Sequence, residues 1–484
     1  MRREACALGE EQARPCSRCR AQQGEQHVQQ DSGADSWLAS FGLRLSNWFE
    51  RWFPDAFALA LTAVVIVFAA AAAVSGSPLQ VAQAFGTGFW DLVTFTIQVA
   101  LLVITGYVVA MAPPVHAAIR RMAAIPQTGK GAVAYVAMFS MLSSLLSWTF
   151  SLIFSAFLGR EVASRTRGVD YRAIGAAAYL GVGSVWALGL SSSAALIMAN
   201  PESLPDSIER ISGVVPLSQT LGLWQSLATA AVLVVVSTAV AHFSAPDPAS
   251  ARSMEDMRVE HAAAPRAVTR PEKPGEWLEF SPLPTLIVGA CGITYLAMEV
   301  AARGASVLLD LNHYLFAFVT AGLLLHWRPR SFVQAVTGAA PTVGGVIVQY
   351  PLYAGIVRMM TESGLADRLA NFFVAVSTFH TFPVLVGIYS AFLGLFVPSA
   401  GGKWLIEAPY VLAAAKSLGV HLGWIVQTYN ATEALANLIH PFWMLPLVGI
   451  LGLKPRDIIG YSMLQFAVHV PLVLFLVWIL NYTF

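Results

Sequence analysis

Three ionisable residues in the second half of the chain lie within otherwise apolar sequence. Lys403 and Glu407 are four residues apart, and Glu433 follows further along the chain. A charge at membrane depth is costly, so it normally faces a cavity or an opposite charge. Lys403 could therefore bind a substrate carboxylate, or it could pair with Glu407, which shares its helix face if a helix resumes after Gly402. Glu433 and Glu407 are candidate sites for a coupling proton or cation.

Small polar residues interrupt two long apolar stretches, 131–158 and 381–418. Backbone that leaves the helix at membrane depth must be buried in protein or line a watery cavity, so broken helices in both halves of a chain indicate a transporter's binding site. The N-termini of half-helices offer free N–H groups that can hold a carboxylate. The predicted substrate-binding residues come from these breaks and from the spans that follow them: Ser147, Trp148, Ser191, Ser192, Ser193, Ser399, Gly401, Gly402, Lys403, Asn430 and Thr432.

Glycine and serine also let membrane helices pack closely, so the same residues have a purely structural interpretation. For Gly181 and Gly183, close helix packing and contact with a ligand explain the glycine equally well. For the serine segment 191–193 we favour contact with a ligand. His440 is interpreted as hydrogen-bonded structure, because a single histidine before a proline carries no catalytic signature.

The elements that must position these residues are membrane helices. Hydrophobic residues make up 56% of the chain and charged residues 12%, and the mean hydropathy is +0.62, whereas a soluble domain has roughly 25% charged residues. The predicted fold class is an all-α polytopic membrane protein. Nine apolar segments approach the roughly 20 residues that a crossing needs: 56–74, 89–112, 171–199, 215–241, 283–302, 311–327, 341–361, 421–452 and 457–481.

The positions of Lys and Arg predict the orientation of these spans. If both broken stretches are re-entrant hairpins and the N-terminus is cytoplasmic, 23 of the 29 Lys and Arg residues lie in cytoplasmic segments, as the positive-inside rule requires. A single crossing by 131–158 would instead place the arginine-rich loop after it outside. We therefore predict a multi-pass protein of the bacterial inner membrane with a cytoplasmic N-terminus.

The order of span, span, hairpin, broken span and span occurs twice, and five crossings separate the two starts, so the two halves are predicted to be inverted repeats. The predicted segments are a disordered cytoplasmic tail (1–36), an interfacial amphipathic helix (37–55), a first repeat (56–243, with its hairpin at 131–158), a cytoplasmic linker (244–280), a connecting span (281–303) and a second repeat (311–482, with its hairpin at 381–418).

Several other classes of protein lack their sequence signals here. The chain has no G-x-x-x-x-G-K-[ST] loop for ATP, no H-E-x-x-H zinc motif and no G-x-S-x-G nucleophile motif. A net charge of +1 gives no reason to expect nucleic acid. Cys16 and Cys19 form one C-x-x-C in a polar tail, without a second pair to complete a metal site. We expect no cofactor and no metal, apart from a coupling H⁺ or Na⁺.

The chain resembles the bacterial short-chain fatty acid transporter family from residue 37 to its C-terminus. The motifs that carry the resemblance are RWFPD (51–55), GFW (88–90), AYLG (178–181), QYPLYAGI (349–356), VPS followed by GG (397–402) and HPFW (440–443). The resemblance implies a distant relationship to ion transporters with two re-entrant hairpins, which are often homodimers and move their substrate by an elevator motion.

The predicted function is that of a secondary active transporter, not an enzyme. Its substrate would be a short-chain monocarboxylate such as butyrate or acetoacetate, bound between the hairpin tips and driven by a proton or sodium gradient. Two alternatives stay open: a membrane-embedded acyl-handling enzyme that pairs a serine of 191–193 with His440, and a gated anion channel.

Overall fold

A computed structural model describes residues 37–52, 54–201, 204–259, 273–309, 311–365, 368, 372, 375–398 and 400–484. Within these residues every regular element is a helix and no strand occurs, which confirms the predicted all-α class. The tail 1–36, with its C-x-x-C, and the predicted site residue Ser399 lie outside the described residues.

Within the described residues, eight helical runs are long and apolar enough to cross a membrane, and a bent pair of helices makes a ninth. The run Gly129–Leu146 passes this test although it was assigned to a hairpin, and Leu311–His326 falls short of the test with 16 residues although it was predicted to cross. The runs are Phe57–Ser75, Pro78–Met111, Gly129–Leu146, Tyr171–Ala199, Trp224–Ser244, Pro274–Arg303, Pro329–Glu362 and Pro455–Thr483, with the bent pair Leu422–Ile439 and Pro441–Leu451.

The first described helix, α1 (Trp37–Trp52), is amphipathic as predicted, with Trp37, Trp48 and Trp52 exposed. The helices that follow it up to the central linker are α2 (Ala56–Ser75), α3 (Pro78–Gly88), α4 (Val93–Met111), α5 (Pro113–Met122), α6 (Gly129–Leu146), α7 (Trp148–Arg165), α8 (Tyr171–Leu180), α9 (Ser193–Ala199), α10 (Asp206–Ser212) and α11 (Trp224–Ser244).

The remaining described helices follow α11 along the chain. They are α12 (Trp277–Phe280), α13 (Leu283–Arg303), α14 (Leu311–His326), α15 (Pro329–Ala339), α16 (Gly344–Glu362), α17 (Phe382–Gly394), α18 (Ala400–Leu418), α19 (Leu422–Ile439), α20 (Pro441–Leu451) and α21 (Pro455–Leu480). Short 3₁₀ turns join several of these helices: Trp186–Leu188, Leu217–Gln219, Pro274–Glu276, Ala305–Leu309, Ala340–Val343 and Asn481–Thr483.

Hairpin 1, defined as α6, Ser147 and α7, has a narrower break than its sequence indicates. Ser143 remains helical, and its hydroxyl donates to the Phe139 carbonyl at 2.7 Å, one turn back. Only Ser147 is extended (φ −154°, ψ 116°), and its hydroxyl caps α7 by accepting from the Phe150 N–H. The two arms pack side by side and extend from 129 to 165, beyond the predicted 131–158.

The span after hairpin 1 is interrupted as the sequence indicates. After α8 the chain forms a π-helix (Gly181–Val185) and a 3₁₀ turn, and it then becomes extended at Gly189 before α9. A side chain on Gly181 would collide with the Ser140 carbonyl of α6, and the Gly181 N–H donates to the Ser140 hydroxyl at 2.9 Å. Gly181 therefore serves close packing, as its structural interpretation proposed.

Hairpin 2, defined as α17, residues 395–398 and α18, packs both arms against α19. Its first arm has 13 residues, about 20 Å of helix, too short to cross a bilayer core of about 30 Å. The helix resumes at Ala400, so Gly401 and Gly402 lie within its first turn. The next span bends by 55° between α19 and α20 at His440 and Pro441.

The two interrupted spans form the centre of the molecule. The run Tyr171–Ala199 and the bent pair α19 and α20 are almost entirely buried, whereas α2 and α13 expose most of their apolar surface, as lipid-facing helices do. The candidate residues Ser192, Asn430 and Thr432 are buried in these spans, whereas Gly402 at the tip of hairpin 2 is exposed.

Candidate functional site

A cavity of about 200 Å³ lies where the two hairpin tips meet. We call it the tip cavity. Its walls come from α4, from the tips of both hairpins, from the first interrupted span and from α20. None of its lining residues is charged: Phe95, Trp148, Val182, Trp186, Ser193, Pro398, Ala400, Gly401 and Trp443. Since one water molecule occupies roughly 30 Å³ in the liquid, the cavity has room for a ligand of several heavy atoms.

One wall of the tip cavity is aromatic. The Trp148 ring packs edge-on against Trp443, with ring centroids 5.5 Å apart, and lies 6.4 Å from the Trp186 ring. Phe95 meets Trp443 at 6.3 Å. These rings offer an apolar surface to a short acyl chain.

Helix N-termini supply the polar part of the same cavity. Trp148 is the first residue of α7, Ala400 and Gly401 begin α18, and Trp443 lies in the first turn of α20. The first N–H groups of a helix have no partner within the helix and carry the positive end of its dipole. Side chains already accept from the Trp148 N–H of α7 and the Phe442 N–H of α20. The positive ends of the helix dipoles, together with the aromatic rings, therefore suit this uncharged cavity to a small monocarboxylate.

The serine segment 191–193 contacts both hairpins. The Trp148 N–H at the tip of hairpin 1 donates to the Ser191 hydroxyl at 3.1 Å. At the tip of hairpin 2, a Cβ built on Gly401 would lie 3.4 Å from the Cβ of Ser193. Ser192 caps α9 by accepting from the Ala195 N–H at 3.4 Å. Of the three serines, Ser193 is therefore the one that lines the cavity.

Other predicted site residues have different positions. The Ser147 hydroxyl is 2.8 Å from the Thr149 hydroxyl at the tip of hairpin 1. Gly402 lines a second cavity of about 370 Å³, which we call the flanking cavity, together with Val397 and Ile406. Asn430 donates to the Gln427 side chain at 2.6 Å. Thr432 donates to the Thr428 carbonyl at 2.8 Å, within its own helix. Asn430 and Thr432 do not line the tip cavity.

The three charged candidates form one buried ion cluster, consisting of Lys403, Glu407 and Glu433. Their side chains are 0%, 0% and 1% exposed. The Lys403 ammonium forms an ion pair with Glu433 and lies 3.7 Å from Glu407, one turn further along α18. The sequence allowed Lys403 either to bind a substrate carboxylate or to form an internal ion pair. Because Lys403 does not line the tip cavity, its position favours the internal pair.

Two residues that the sequence did not indicate complete the surroundings of Lys403. The ammonium donates to the Ser390 carbonyl at 2.6 Å and to the Ser390 hydroxyl at 2.9 Å, and it lies 4.7 Å from the centre of the Tyr429 ring. Gly394 allows this approach, because a Cβ there would lie 3.2 Å from a Glu433 carboxylate oxygen and 3.5 Å from Lys Nζ. The cluster thus joins α17, α18 and α19.

The sequence indicated Trp148 but none of the other rings of the aromatic wall. Trp443 belongs to the HPFW motif and Trp186 follows the glycine-rich break, so each had a local signal. Phe95 and Ser390 lie within helices and have no such local signal. Their roles become visible only when elements distant in sequence are brought together.

His440 bears on the enzyme alternative. Its Nδ1 accepts from the Phe442 N–H at 3.1 Å, and its Nε2 lies 3.0 Å from the Leu395 carbonyl of hairpin 2. Both ring nitrogens are therefore occupied by backbone groups, and neither is available as a base for a serine of 191–193.

Two solved structures align with most of the chain, at low similarity. One is the YdaH transporter of Alcanivorax borkumensis, at 16% identity and a TM-score of 0.42, over 88% of this chain and 98% of that one. The other is MtrF of Neisseria gonorrhoeae, at 14% identity and a TM-score of 0.39, over 89% and 97%.

Two sequence relatives are much more similar. One from Escherichia coli (strain K12) is 35% identical over 419 residues, covering 86% of this chain and 94% of the relative. One from Haemophilus influenzae is 30% identical over 436 residues, covering 88% and 96%. The name of each relative provisionally assigns it to short-chain fatty acid transport. The sequence profile described as "Short chain fatty acid transporter" matches residues 37–480, so this chain belongs to the short-chain fatty acid transporter family.

Proposed function

We propose that this protein is a secondary active transporter that carries short-chain monocarboxylates, such as butyrate or acetoacetate, across the bacterial inner membrane. The observation that supports this most directly is the tip cavity, in which uncharged aromatic walls meet the N-termini of helices from both hairpins. The aromatic rings would hold the acyl chain, and the positive N-terminal ends of the helices would attract the carboxylate.

Alternating access would use the tip of hairpin 2 as a gate. Ala400 and Gly401 line the tip cavity, whereas Val397 and Gly402 line the flanking cavity. The tip is therefore the wall between two cavities, and moving it would join them. The predicted cytoplasmic N-terminus, inverted repeats, homodimer and elevator motion belong to the same proposal, as does independence of ATP.

The buried ion cluster is the proposed site of ion coupling. It combines two carboxylates with one ammonium, and a buried excess of negative charge favours the uptake of a cation. Lys403 and Glu407 lie on the helix whose first residues line the tip cavity. Cation binding and substrate binding therefore involve the same hairpin.

Uptake of labelled butyrate and acetoacetate into proteoliposomes tests this proposal. Protein-free liposomes measure passive entry of the protonated acids, and imposed proton and sodium gradients are applied separately. We expect saturable, gradient-driven accumulation and faster release when unlabelled acid is present on the opposite side. A channel would lack this trans-stimulation, and an acyl-handling enzyme would convert the acid to a product. Folded protein that moves neither acid would contradict the proposal.

A further inference from the structure

We infer that Glu407 carries the coupling proton of the proposed transport cycle, and that Lys403 ties the arms of hairpin 2 together while Glu407 is neutral. This inference rests on the proposed function and adds the identity of the ion, its binding group and its effect on the hairpin. It begins with the hydrogen bonds of one ammonium group.

The donors of Lys403 are fully used by other groups. An ammonium has three N–H donors. Two point to the carbonyl and hydroxyl of Ser390, at 2.6 and 2.9 Å, and the third serves the ion pair with Glu433. Glu407 lies 3.7 Å from the ammonium, beyond hydrogen-bond length, so its contact with Lys403 is weaker than that of Glu433.

The charges of the cluster also indicate that Glu407 is neutral. The polar and titratable groups around Glu407 are Lys403, Glu433, Ser390 and Tyr429. One ammonium balances one carboxylate, so an ionised Glu407 would leave the cluster with a net charge of −1 in a fully buried position. Such a charge is so costly in a low-dielectric interior that the group becomes neutral instead. A proton on Glu407 makes the cluster neutral without disturbing any observed contact.

The contacts of Lys403 connect this proton to the hairpin. Ser390 lies on α17 and Lys403 on α18, and both arms rest on α19, which carries Glu433. The Lys403 bonds to Ser390 thus join the arms. Tyr429 extends the connection to the tip, since its ring lies against the ammonium and its hydroxyl donates to the Ala400 carbonyl at 2.5 Å.

Loss of the proton from Glu407 weakens the connection between the arms of hairpin 2. When the Glu407 carboxyl releases H⁺ and becomes a carboxylate, it attracts the ammonium, which keeps its own three protons. Lys403 and Glu407 are one helical turn apart on α18, so their pairing occurs within one arm. The bonds from Lys403 to Ser390 are then weakened, and the arms of hairpin 2 are no longer held together.

Calorimetric titration of the purified full-length protein with butyrate, in buffers of different ionisation enthalpy and at constant Na⁺, tests the inference. We expect no proton uptake while Glu407 of the substrate-free protein holds its proton. At higher pH, where that proton is lost, substrate binding should take up one proton and affinity should fall about tenfold per pH unit. In Glu407→Gln, which mimics the neutral carboxyl, this pH dependence should disappear. Glu279→Gln, the same change at an exposed pair with Arg330, should behave as the wild type does.

The possible failures are distinguishable. If the wild type binds no short-chain acid at any pH, the proposed function fails and the inference fails with it. If it binds with no proton uptake at any pH, or with an affinity that follows sodium instead of pH, the inference is wrong and the function stands. The titration of the wild-type protein needs no variant, so it tests the inference even if Glu407→Gln does not fold. A Glu407→Gln protein that keeps the wild-type pH dependence also overturns the inference.

Discussion

Lys403 supplies the positive charge of the buried ion cluster, so the electrostatic balance of the interior depends on this side chain. Lys403→Met removes the partner of Glu433 and leaves two carboxyl groups close together. Breaking a buried ion pair costs about 3–5 kcal/mol, and we expect this loss in the free energy of unfolding. Both carboxyls must then be protonated in the folded protein, so the stability of the variant should fall as pH rises.

Thermal unfolding in detergent, measured across pH, checks this expectation. Lys416→Met is the control, because Lys416 is exposed and donates to the Ile211 carbonyl; it should change stability by less than about 0.5 kcal/mol. The double variant Lys403→Met with Glu433→Gln should recover part of the loss. A Lys403→Met protein as stable as the wild type at all pH values would show that the pair contributes nothing.

Gly401 controls the space available to substrate. Gly401→Val places a branched side chain beside Ser193, at the edge of the tip cavity. One added methylene in a small apolar pocket changes the discrimination between two substrates by roughly 10-fold or more. The kcat/KM for butyrate should therefore fall by at least that factor, and the kcat/KM for acetate should fall less. Gly344→Val is the control, since no atom lies within 4 Å of a Cβ at Gly344. Equal losses for both acids would show that the cavity does not select by size.

Hairpin 2 can be tested as an element by fixing its tip. The Cβ positions of residues 193 and 401 are 3.4 Å apart, close to the 3.5–4.5 Å of a disulfide. Ser193→Cys with Gly401→Cys, in a background without the native cysteines, should form a cross-link on oxidation. We expect transport to stop when the bond forms and to recover on reduction. Each single variant is the control, and undiminished transport by fully cross-linked protein would exclude the tip as the gate.

The sequence predicted elements better than contacts. Both breaks, the interrupted span after each and the close spacing of Lys403 and Glu407 follow from local patterns, because glycine, serine and proline disfavour continuous helix and a four-residue spacing shares a helix face. The partners Ser390 and Tyr429 come from other helices. Apolar runs show that helices are buried but not which faces meet, so these contacts were unpredictable.

The limits of local sequence patterns also explain why the predicted spans differ from the observed helices. Helix α11 starts at Trp224, nine residues after the predicted Val215, since Val215–Leu223 forms turns and a 3₁₀ helix despite its apolar composition. Amphipathic α5 and α15 went unpredicted because each directly adjoins a longer apolar run. Hydropathy thus locates apolar segments well and their ends poorly.

At the scale of the whole molecule, the first and last long helices described are packed together. A Cβ on Gly460 of α21 would collide with the backbone of Ser46 in α1. Gly460→Ala should therefore displace α1 and destabilise the protein by about 1–3 kcal/mol, the usual range for overpacking. Limited proteolysis should cut α1 faster in this variant, and thermal unfolding should begin earlier.

Gly86→Ala provides the matched comparison for this prediction. It lies in α3 with open space around its Cβ, so alanine there should be neutral or stabilising by up to about 1 kcal/mol. Equal behaviour of the two variants would mean that α1 is not held by this contact.

The thin wall formed by the tip of hairpin 2 has an electrical consequence. Gly401 and Gly402 are adjacent in the chain, yet one lines the tip cavity and the other the flanking cavity. If the two cavities open to opposite sides of the membrane, much of the membrane voltage falls across this one helical turn. Moving one charge through the full voltage changes its energy by about 2.3 kcal/mol per 100 mV. A carboxylate crossing at the tip would therefore experience most of the cell's membrane potential in a single short step.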